Sequence, residues 1–261
     1  MSQSLTLESR IPALLSALEG LSAQEGLRLL ASEFEGSIAF SSSLGIEDQL
    51  ITHYIFSAQL PVRVFTLDTG RLFNESYTLL NKTNERYGRK LEVYFPKHEA
   101  VEQLVNEKGP LSFYHSVENR KECCYIRKVE PLKRALQGVQ LWITGLRAEQ
   151  SDNRQGLQLL EWDKGFGVIK YNPLLHWSLE EVFQTVKLLQ VPYNPLHDKG
   201  FVSIGCAPCT RAIQPGENFR SGRWWWEDNS KKECGLHTHH AASAADAEAA
   251  TITSTRQEAI Q

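Results

Sequence analysis

The chain has 261 residues, of which 41% are hydrophobic and 23% charged, a composition typical of globular proteins with one substantial core or two small ones. A net charge of -3 argues against nucleic-acid binding by broad phosphate neutralisation, but it allows a local basic pocket for one small anion. No stretch approaches the roughly 20 apolar residues of a membrane helix, and the N-terminus does not resemble a secretory signal.

Strand and helix patterns alternate through the first part of the chain. Ser22 and Glu25 fit a capping box that starts a helix, and Leu27, Leu30 and Phe34 supply its apolar face. The next predicted elements are a strand over 37–40, a helix over 47–58, a strand over 62–67, a helix over 74–87, and strands over 91–95 and 139–144. This alternation predicts an α/β fold with a doubly wound, mostly parallel sheet flanked by helices.

The alternation fades from about Tyr171. Ser178 opens another capped helix, and prolines then break the chain into a loop-rich C-terminal segment. We expect a single domain over residues 1–237, with a helical N-terminal region to about residue 35. Residues 238–261, rich in Ala, Ser and Thr, are predicted to form a disordered tail.

Three turns are candidates for ligand binding because ligands of such sheets bind beyond the carboxyl ends of the strands. They are residues 41–45, 68–70 and 145–154. The serine-rich turn, 41–45, precedes a helix, so its backbone N–H groups and hydroxyls could hold an anion. Arginines offer planar, bidentate donors for phosphate or sulfate, although each alone could equally be a solvated surface residue; they are Arg147, Arg154, Arg220 and Arg223.

Four of the five cysteines form two tight pairs, Cys123-Cys124 and Cys206-x-x-Cys209. Such a set suits zinc or an iron–sulfur cluster, and the cytoplasm is the reducing compartment that this pattern favours. Adjacent side chains diverge by about 100° on a helix, which a larger cluster tolerates better than a single ion. Arg127 and Lys128 could stabilise an anionic cluster; buried free thiols and solvated cations are the alternatives.

The fifth cysteine, Cys234, stands apart from these pairs. Lys231, Lys232 and His237 surround it in sequence, and nearby cations lower a thiol pKa and enrich the reactive thiolate. A surface thiol without a catalytic role is the other interpretation. The three consecutive tryptophans from Trp224 cannot all face one side, so some of them should pack a lid or an interface.

Taken together, these motifs resemble the assimilatory sulfonucleotide reductases, in particular their adenylyl-sulfate (APS) reductase branch, and the wider PP-loop group of adenine-nucleotide enzymes. The resemblance extends from about Ser37 to His237. The motifs that carry it are SSSLGIED, LDTGR, ECCYIRKVEPLKR, TGLRAEQSDNR, VSIGCAPCTR, GRWWWED and KECGLH.

The resemblance assigns a role to each motif. It implies one 4Fe–4S cluster on Cys123, Cys124, Cys206 and Cys209, and Cys234 as the catalytic cysteine. It also implies a set of substrate-binding residues: Ser41, Ser42, Ser43, Gly45, Asp68, Thr69, Gly70, Arg71, Lys128, Arg147, Arg154, Arg220, Arg223 and His237.

The implied reaction is reduction of adenosine 5′-phosphosulfate to sulfite and AMP in sulfate assimilation, through an S-sulfocysteine on Cys234. Thioredoxin or glutaredoxin would be the reductant, supplied as a separate protein because the chain leaves no room for a thioredoxin-like domain. Reduction of the 3′-phosphorylated nucleotide PAPS and a non-catalytic zinc-bound nucleotide module are the alternatives. Nucleic acid and membrane are not expected partners, and a homo-oligomer is left open.

Overall fold

A computed structural model describes residues 6–150 and 156–227 and contains six strands in one sheet. The strands are β1 (Ile38–Ser41), β2 (Arg63–Leu67), β3 (Glu92–Tyr94), β4 (Leu141–Ile143), β5 (Leu160–Asp163) and β6 (Val168–Tyr171). Their order across the sheet is β3-β2-β1-β4-β6-β5, and only β5 runs antiparallel to its neighbour. The predicted mostly parallel α/β sheet is confirmed.

Eight α-helices flank this sheet within the described residues. They are α1 (Ile11–Leu18), α2 (Ala23–Glu33), α3 (Ile46–Ser57), α4 (Asn74–Tyr87), α5 (His98–Lys108), α6 (Val117–Cys124), α7 (Glu130–Ala135) and α8 (Leu179–Leu188). A π-helical turn, Tyr125–Val129, joins α6 to α7. None of the helices in these two ranges has the length and apolar composition needed to cross a membrane.

Local sequence accounts for the start of α2. The Ser22 hydroxyl accepts a hydrogen bond from the Glu25 backbone N–H, and the Glu25 carboxylate accepts one from the Ser22 N–H at 2.9 Å. This is the predicted capping box. Leu27 and Leu30 are fully buried on the face that the apolar pattern indicated. The same capping arrangement, on Ser178, starts α8.

The direction of the strand order reverses between β1 and β4. The chain proceeds from β1 through β2 to β3 on one side, whereas β4 and β6 lie on the other side. Parallel strands bring their carboxyl ends to one edge, so the loops that follow β1, β2 and β4 meet there. The predicted common position of the turns beginning at residues 41, 68 and 145 is thereby confirmed.

The β5–β6 hairpin was not predicted. Each strand has only four residues, and Lys170 lies fully buried in β6, where its ammonium pairs with Glu161 at 2.7 Å. A lysine in a buried strand obscures the apolar pattern by which such strands are recognised. The turn carries a local signal, because the Asp163 carboxylate accepts from the N–H groups of Gly165 and Phe166.

Candidate functional site

A pocket of about 200 Å³ opens beyond the carboxyl ends of β1, β2 and β4. The predicted serine-rich turn, residues 41–45, contributes four of its lining residues. Lys128, Arg220 and Arg223 also line it, together with Gly205 and Trp224 of the C-terminal loops. The structure therefore brings residues from four separate sequence motifs to one pocket.

The serine-rich turn is held by its own hydrogen bonds. The N–H and the hydroxyl of Ser43 both donate to the Asp48 carboxylate, at 2.5 and 2.6 Å. Ser42 Oγ accepts from the Leu44 N–H, and Ser41 Oγ accepts from Trp142 Nε1. A carboxylate thus already occupies donors that an anion would need, so the contacts do not favour a phosphate at Ser43; its contact with substrate stays a prediction.

Arg147 lies behind this end of the pocket rather than at its surface. Its guanidinium is fully buried and donates to Glu47 Oε1 at 2.9 Å, to Glu149 Oε2 at 2.7 Å and to the Trp177 carbonyl. Gln150 donates to the same Glu47 oxygen at 2.9 Å. Arg147 does not line the pocket, its Nη2 has no hydrogen-bond partner among the described residues, and its direct contact with substrate stays a prediction.

The opposite end of the pocket is cationic. Arg223 is 7% exposed and stacks on Trp224 with its guanidinium carbon 4.7 Å from the ring centroid. Gly205 packs so closely against this guanidinium that a side chain there would overlap it. Arg220 lies 5.7 Å from the same ring centroid. Both arginines therefore lie where a bound anion could be compensated, as predicted from their position before the tryptophans.

A second, smaller pocket contains all four paired cysteines. Cys123, Cys124, Cys206 and Cys209 line it with four cations, Arg71, Arg120, Arg127 and Lys128. Lys128 lines both this pocket and the larger one. The two pockets are thus neighbours that share one lysine.

The π-helical turn after α6 explains how one segment supplies both thiols and cations. Residues four apart lie on one face of a helix, so Arg127 follows Cys123 and Lys128 follows Cys124 toward the same pocket. Wide turns of this kind occur frequently at functional sites.

The second cysteine pair, Cys206 and Cys209, is held at this pocket by contacts with the turn after β2. The Ala207 N–H donates to the Arg71 carbonyl at 2.8 Å, and Thr69 Oγ1 lies 3.3 Å from Cys206 Sγ. The predicted substrate motif of Asp68, Thr69, Gly70 and Arg71 therefore adjoins the cysteines rather than the larger pocket.

Hydrogen bonds fix this motif in place. Asp68 accepts from the N–H of Gly70 and from the Tyr77 hydroxyl, at 2.8 and 3.0 Å. Arg127 donates to the Thr69 carbonyl at 2.6 Å. The motif thus holds the cysteine pocket in shape, and its direct contact with substrate stays a prediction.

The thiols differ in their electrostatic surroundings. Burial would raise the pKa of Cys206, but Lys128, Thr69, Arg223 and Arg127 outweigh it and lower that pKa below its ordinary value. Burial, together with the charge of Cys206, raises the pKa of Cys209 to about 11. Burial likewise raises the pKa of Cys123, against the opposing charges of Arg127 and Arg71. The cations thus act most strongly on Cys206.

The four thiols of the cysteine pocket are potential ligands for a metal ion or a cluster. In residues 6–150 and 156–227, no three His, Cys, Asp or Glu side chains are arranged to hold a single metal ion. The four thiols nevertheless line one pocket among cations, and soft sulfur donors suit an iron–sulfur cluster, whose thiolate-bound form is anionic. The residues present therefore fit such a group.

The three tryptophans take different environments, as expected. Trp224 is buried, Trp226 packs edge-on against Tyr114 at 4.4 Å, and Trp225 is 40% exposed. A buried ion pair at 2.6 Å between Arg120 and Glu227 ties the end of this segment to α6. The last described residues are therefore anchored beside both pockets.

Comparison with known proteins identifies the family. The family model described as "Phosphoadenosine phosphosulfate reductase domain" matches residues 37–212. The chain belongs to this family.

Curated relatives and solved structures agree with that assignment. The chain is 48% identical to an adenosine 5′-phosphosulfate reductase of Burkholderia cepacia, covering 88% of this chain and 90% of the relative. It is 52% identical to the protein of that name from Allochromatium vinosum, covering 79% and 80%. Its fold is similar to a PAPS reductase from Candida auris, with a TM-score of 0.67 and 30% identity over 82% of this chain and all of that one.

A more distant likeness concerns the fold alone. The FMN adenylyltransferase of Candida glabrata matches with a TM-score of 0.52 at 16% identity, covering 97% of this chain and 85% of that one. It supports the α/β architecture and nothing further.

The predicted site residues and the residues that line the pocket overlap only in part. Arg154, Cys234 and His237 lie outside the described residues, so their predicted roles stay predictions. Conversely, Glu47 and His197 line the pocket but were not among the predicted site residues, although Glu47 lies within the SSSLGIED motif. The available signals were a glutamate in the first turn after the serine-rich loop and a histidine in a proline-bounded loop.

Proposed function

We propose that this protein reduces adenosine 5′-phosphosulfate to sulfite and AMP. The names of its relatives support this substrate. The observation that carries the proposal is the shared position of Lys128, which lines both the larger pocket and the cysteine pocket. A nucleotide in the larger pocket with its sulfate toward Lys128 would place the reacting sulfur at the cationic end.

The proposed reaction is a thiol displacement in two stages. The Cys234 thiolate attacks the sulfate sulfur, an S–S bond forms, the sulfur–oxygen bond to AMP breaks, and AMP leaves with the bond's electron pair. A thiolate of thioredoxin or glutaredoxin then attacks Cys234 Sγ and expels sulfite, leaving a mixed disulfide. A second thiol resolves that disulfide, so the reductant is oxidised and Cys234 is regenerated.

Chain length is compatible with the role of Cys234. It follows Glu227 by seven residues, 234 minus 227, and Glu227 is anchored beside the pockets. Seven residues can span roughly 23 Å when extended. This length is compatible with attack by Cys234 at the cationic end.

The cations of the pocket would stabilise the charge that develops during attack. Negative charge grows on the bridging and sulfate oxygens, and fixed cations in a desolvated site stabilise it strongly. Lys128, Arg220 and Arg223 line the pocket at this end and are the residues to which we assign that role.

We also propose that Cys123, Cys124, Cys206 and Cys209 hold one 4Fe–4S cluster. When bound, it would supply fixed charge and structural order next to the sulfate end. The shared thiol pocket and its cations support this assignment. A cysteine-ligated cluster of this kind is also consistent with the proposed reducing, cytoplasmic location.

The deciding experiment is sulfite release from purified protein under anaerobic conditions, with APS or PAPS as substrate and thioredoxin as reductant. We expect kcat/KM to favour APS by roughly ten- to a hundredfold, because an uncompensated 3′-phosphate costs binding energy. Faster consumption of PAPS would instead favour the activity named for the Candida auris relative. Bound zinc with no sulfite from either nucleotide would refute both and support a non-catalytic module.

A further inference from the structure

The His197 side chain lines the larger pocket. The residue is 9% exposed, and neither ring nitrogen has a partner of normal hydrogen-bond geometry among the described residues. Buried polar atoms are nearly always paired in native proteins. Two unpaired nitrogens on one buried ring at a pocket wall therefore indicate a group that binds a ligand.

The surrounding loop fixes where this ring lies. The His197 N–H donates to the Asn194 carbonyl at 3.0 Å, and the Asn194 side chain donates to Ser76 Oγ at 3.2 Å. Gln49 donates to the Pro192 carbonyl at 2.9 Å. The Phe183 ring meets the imidazole edge-on, with centroids 5.8 Å apart. Packing and an interaction with the Phe201 backbone, rather than a hydrogen bond of normal geometry to either nitrogen, hold the ring in place.

Glu47 supplies a carboxylate near this imidazole. Its Oε1 accepts from Arg147 and Gln150, both at 2.9 Å, whereas Oε2 has no hydrogen-bond partner among the described residues. Glu47 lines the same pocket, and its charge acts on the His197 ring. The Glu47 carboxylate offers a hydrogen-bond acceptor, and the neutral His197 ring offers one donor and one acceptor to a ligand in the same pocket.

Among the described residues, the charge at this end is negative. Arg147 is shared between Glu47 and Glu149, so one guanidinium faces two carboxylates, and Asp48 adds a third carboxylate one residue farther on. Burial lowers the pKa of His197, against the opposing influence of Glu47, the Phe201 backbone and Asp198, which favours a neutral ring. A neutral imidazole beside carboxylates suits hydroxyl groups and offers no compensation to a phosphate.

We propose that Glu47 and His197 form a hydroxyl-selective subsite that binds the ribose 2′- and 3′-hydroxyls of the nucleotide and disfavours a 3′-phosphate. This subsite rests on the proposed function. It would hold the nucleoside at the carboxylate end of the pocket, while the sulfate lies at the end with Lys128 and the cysteines. A carboxylate that accepts hydrogen bonds from ribose hydroxyls is a recurrent arrangement in nucleotide-binding α/β folds. Its negative charge makes the same group selective against a phosphorylated ribose.

Binding of product analogues tests this subsite without turnover. Dissociation constants of the anaerobically prepared wild-type protein would be measured by calorimetry for AMP, 2′-deoxy-AMP, 3′-deoxy-AMP and adenosine 3′,5′-bisphosphate. We expect at least one deoxy analogue to bind about tenfold more weakly than AMP, and the bisphosphate about ten- to a hundredfold more weakly. Equal binding of AMP and both deoxy analogues would overturn the proposal.

Two substitutions locate the effect. Glu47→Gln should reduce the discrimination against the bisphosphate by about tenfold, and His197→Phe should make the deoxy analogues bind nearly as well as AMP. The matched controls, Glu180→Gln and His176→Phe, lie on exposed residues outside the pocket and should leave all four constants unchanged. Unchanged discrimination in both pocket variants, with folding confirmed by thermal melting, would also refute the subsite.

A spectroscopic measurement covers the case in which a variant fails to fold. In wild-type protein labelled with ¹⁵N-histidine, AMP should shift the ring nitrogen resonances of His197 more than 2′,3′-dideoxy-AMP does. Equal shifts would contradict the proposal. None of these measurements involves sulfite release. A protein that discriminates between the ribose analogues but does not reduce APS would therefore refute the proposed function and leave the subsite standing.

Discussion

The two ends of the pocket differ in charge although they lie on one sheet edge. Near the start of α3, Asp48 holds the serine-rich turn and Glu47 is clamped by the buried Arg147. At the other end, Lys128 lines the cysteine pocket, and the charges of Lys128 and Arg223 lower the pKa of Cys206 despite its burial. The first end suits neutral, hydroxyl-bearing groups, and the second suits an oxyanion.

This difference separates binding from chemistry. The carboxylate end offers acceptors that are already oriented by neighbouring donors, so it can position a nucleoside without attracting additional anions. The cationic end concentrates positive charge where sulfate oxygens would gain charge during thiol attack. Substitutions at the cationic end should therefore affect turnover, and substitutions at the carboxylate end should affect nucleotide selectivity.

The largest effect is expected for Cys234→Ser. Because it removes the attacking thiolate, sulfite release should fall by about 10⁴-fold or more, whereas AMP binding and iron content should be retained. In the wild-type protein, APS without thioredoxin should leave a sulfite-sized adduct on Cys234, detected by mass spectrometry. Near-normal turnover of the variant would refute the assigned nucleophile.

Loss of one of the four proposed cluster ligands should damage only the cysteine end. Anaerobic wild-type protein should contain about four irons and four sulfides per chain, and Cys209→Ser should lose most of both. AMP affinity should stay within a few-fold of wild type, because the carboxylate end does not use these thiols. Cys234→Ser is the matched control for thiol removal, and stoichiometric zinc without sulfide in the wild type would contradict the assignment.

Removal of the shared lysine should slow chemistry more than binding. Lys128→Gln is expected to lower kcat/KM for APS by about 10²- to 10³-fold, since a preorganised cation at the developing charge is lost. AMP affinity should change little. Lys133→Gln, an exposed neighbour that lines neither pocket, is the control; a fall of similar size there would show that the effect is not local.

A smaller effect is expected when Arg223 is displaced rather than removed. An added methyl group in Gly205→Ala would push the Arg223 guanidinium from its place, and we expect kcat/KM to fall by about tenfold through misplacement. Gly156→Ala, where the new methyl group meets open space, should behave as wild type. An unaffected Gly205→Ala enzyme would mean that Arg223 is not needed in this position.

The smallest effect is expected from a substitution far from the pocket, which tests whether a loss of stability there changes turnover or nucleotide selectivity. Ser22→Ala removes the cap of α2 and should cost about 1 kcal/mol of unfolding free energy, or roughly 2–4 °C in Tm. Turnover and nucleotide selectivity should not change. Ser32→Ala, an exposed serine within the same helix, should cause no such loss.

The sequence alone determined those features that depend on near neighbours. Capping boxes at Ser22 and Ser178 and short apolar runs predicted most strands and helices, because each depends on hydrogen bonds or periodicity within a few residues. The paired cysteines predicted one ligand set, and the structure places all four at one pocket, whereas their binding of a cluster stays a prediction.

The tertiary structure alone decided how the site is charged. Arg147 was predicted to contact substrate, and the structure shows that it also binds Glu47. The two residues are 100 positions apart in the sequence, so no local pattern indicates this pair. Nor does a local pattern place His197 beside Glu47, or turn the motif around Thr69 toward Cys206 rather than the larger pocket. These choices depend on which loops meet at the sheet edge. Strand order, which is set by packing over the whole chain, determines that meeting.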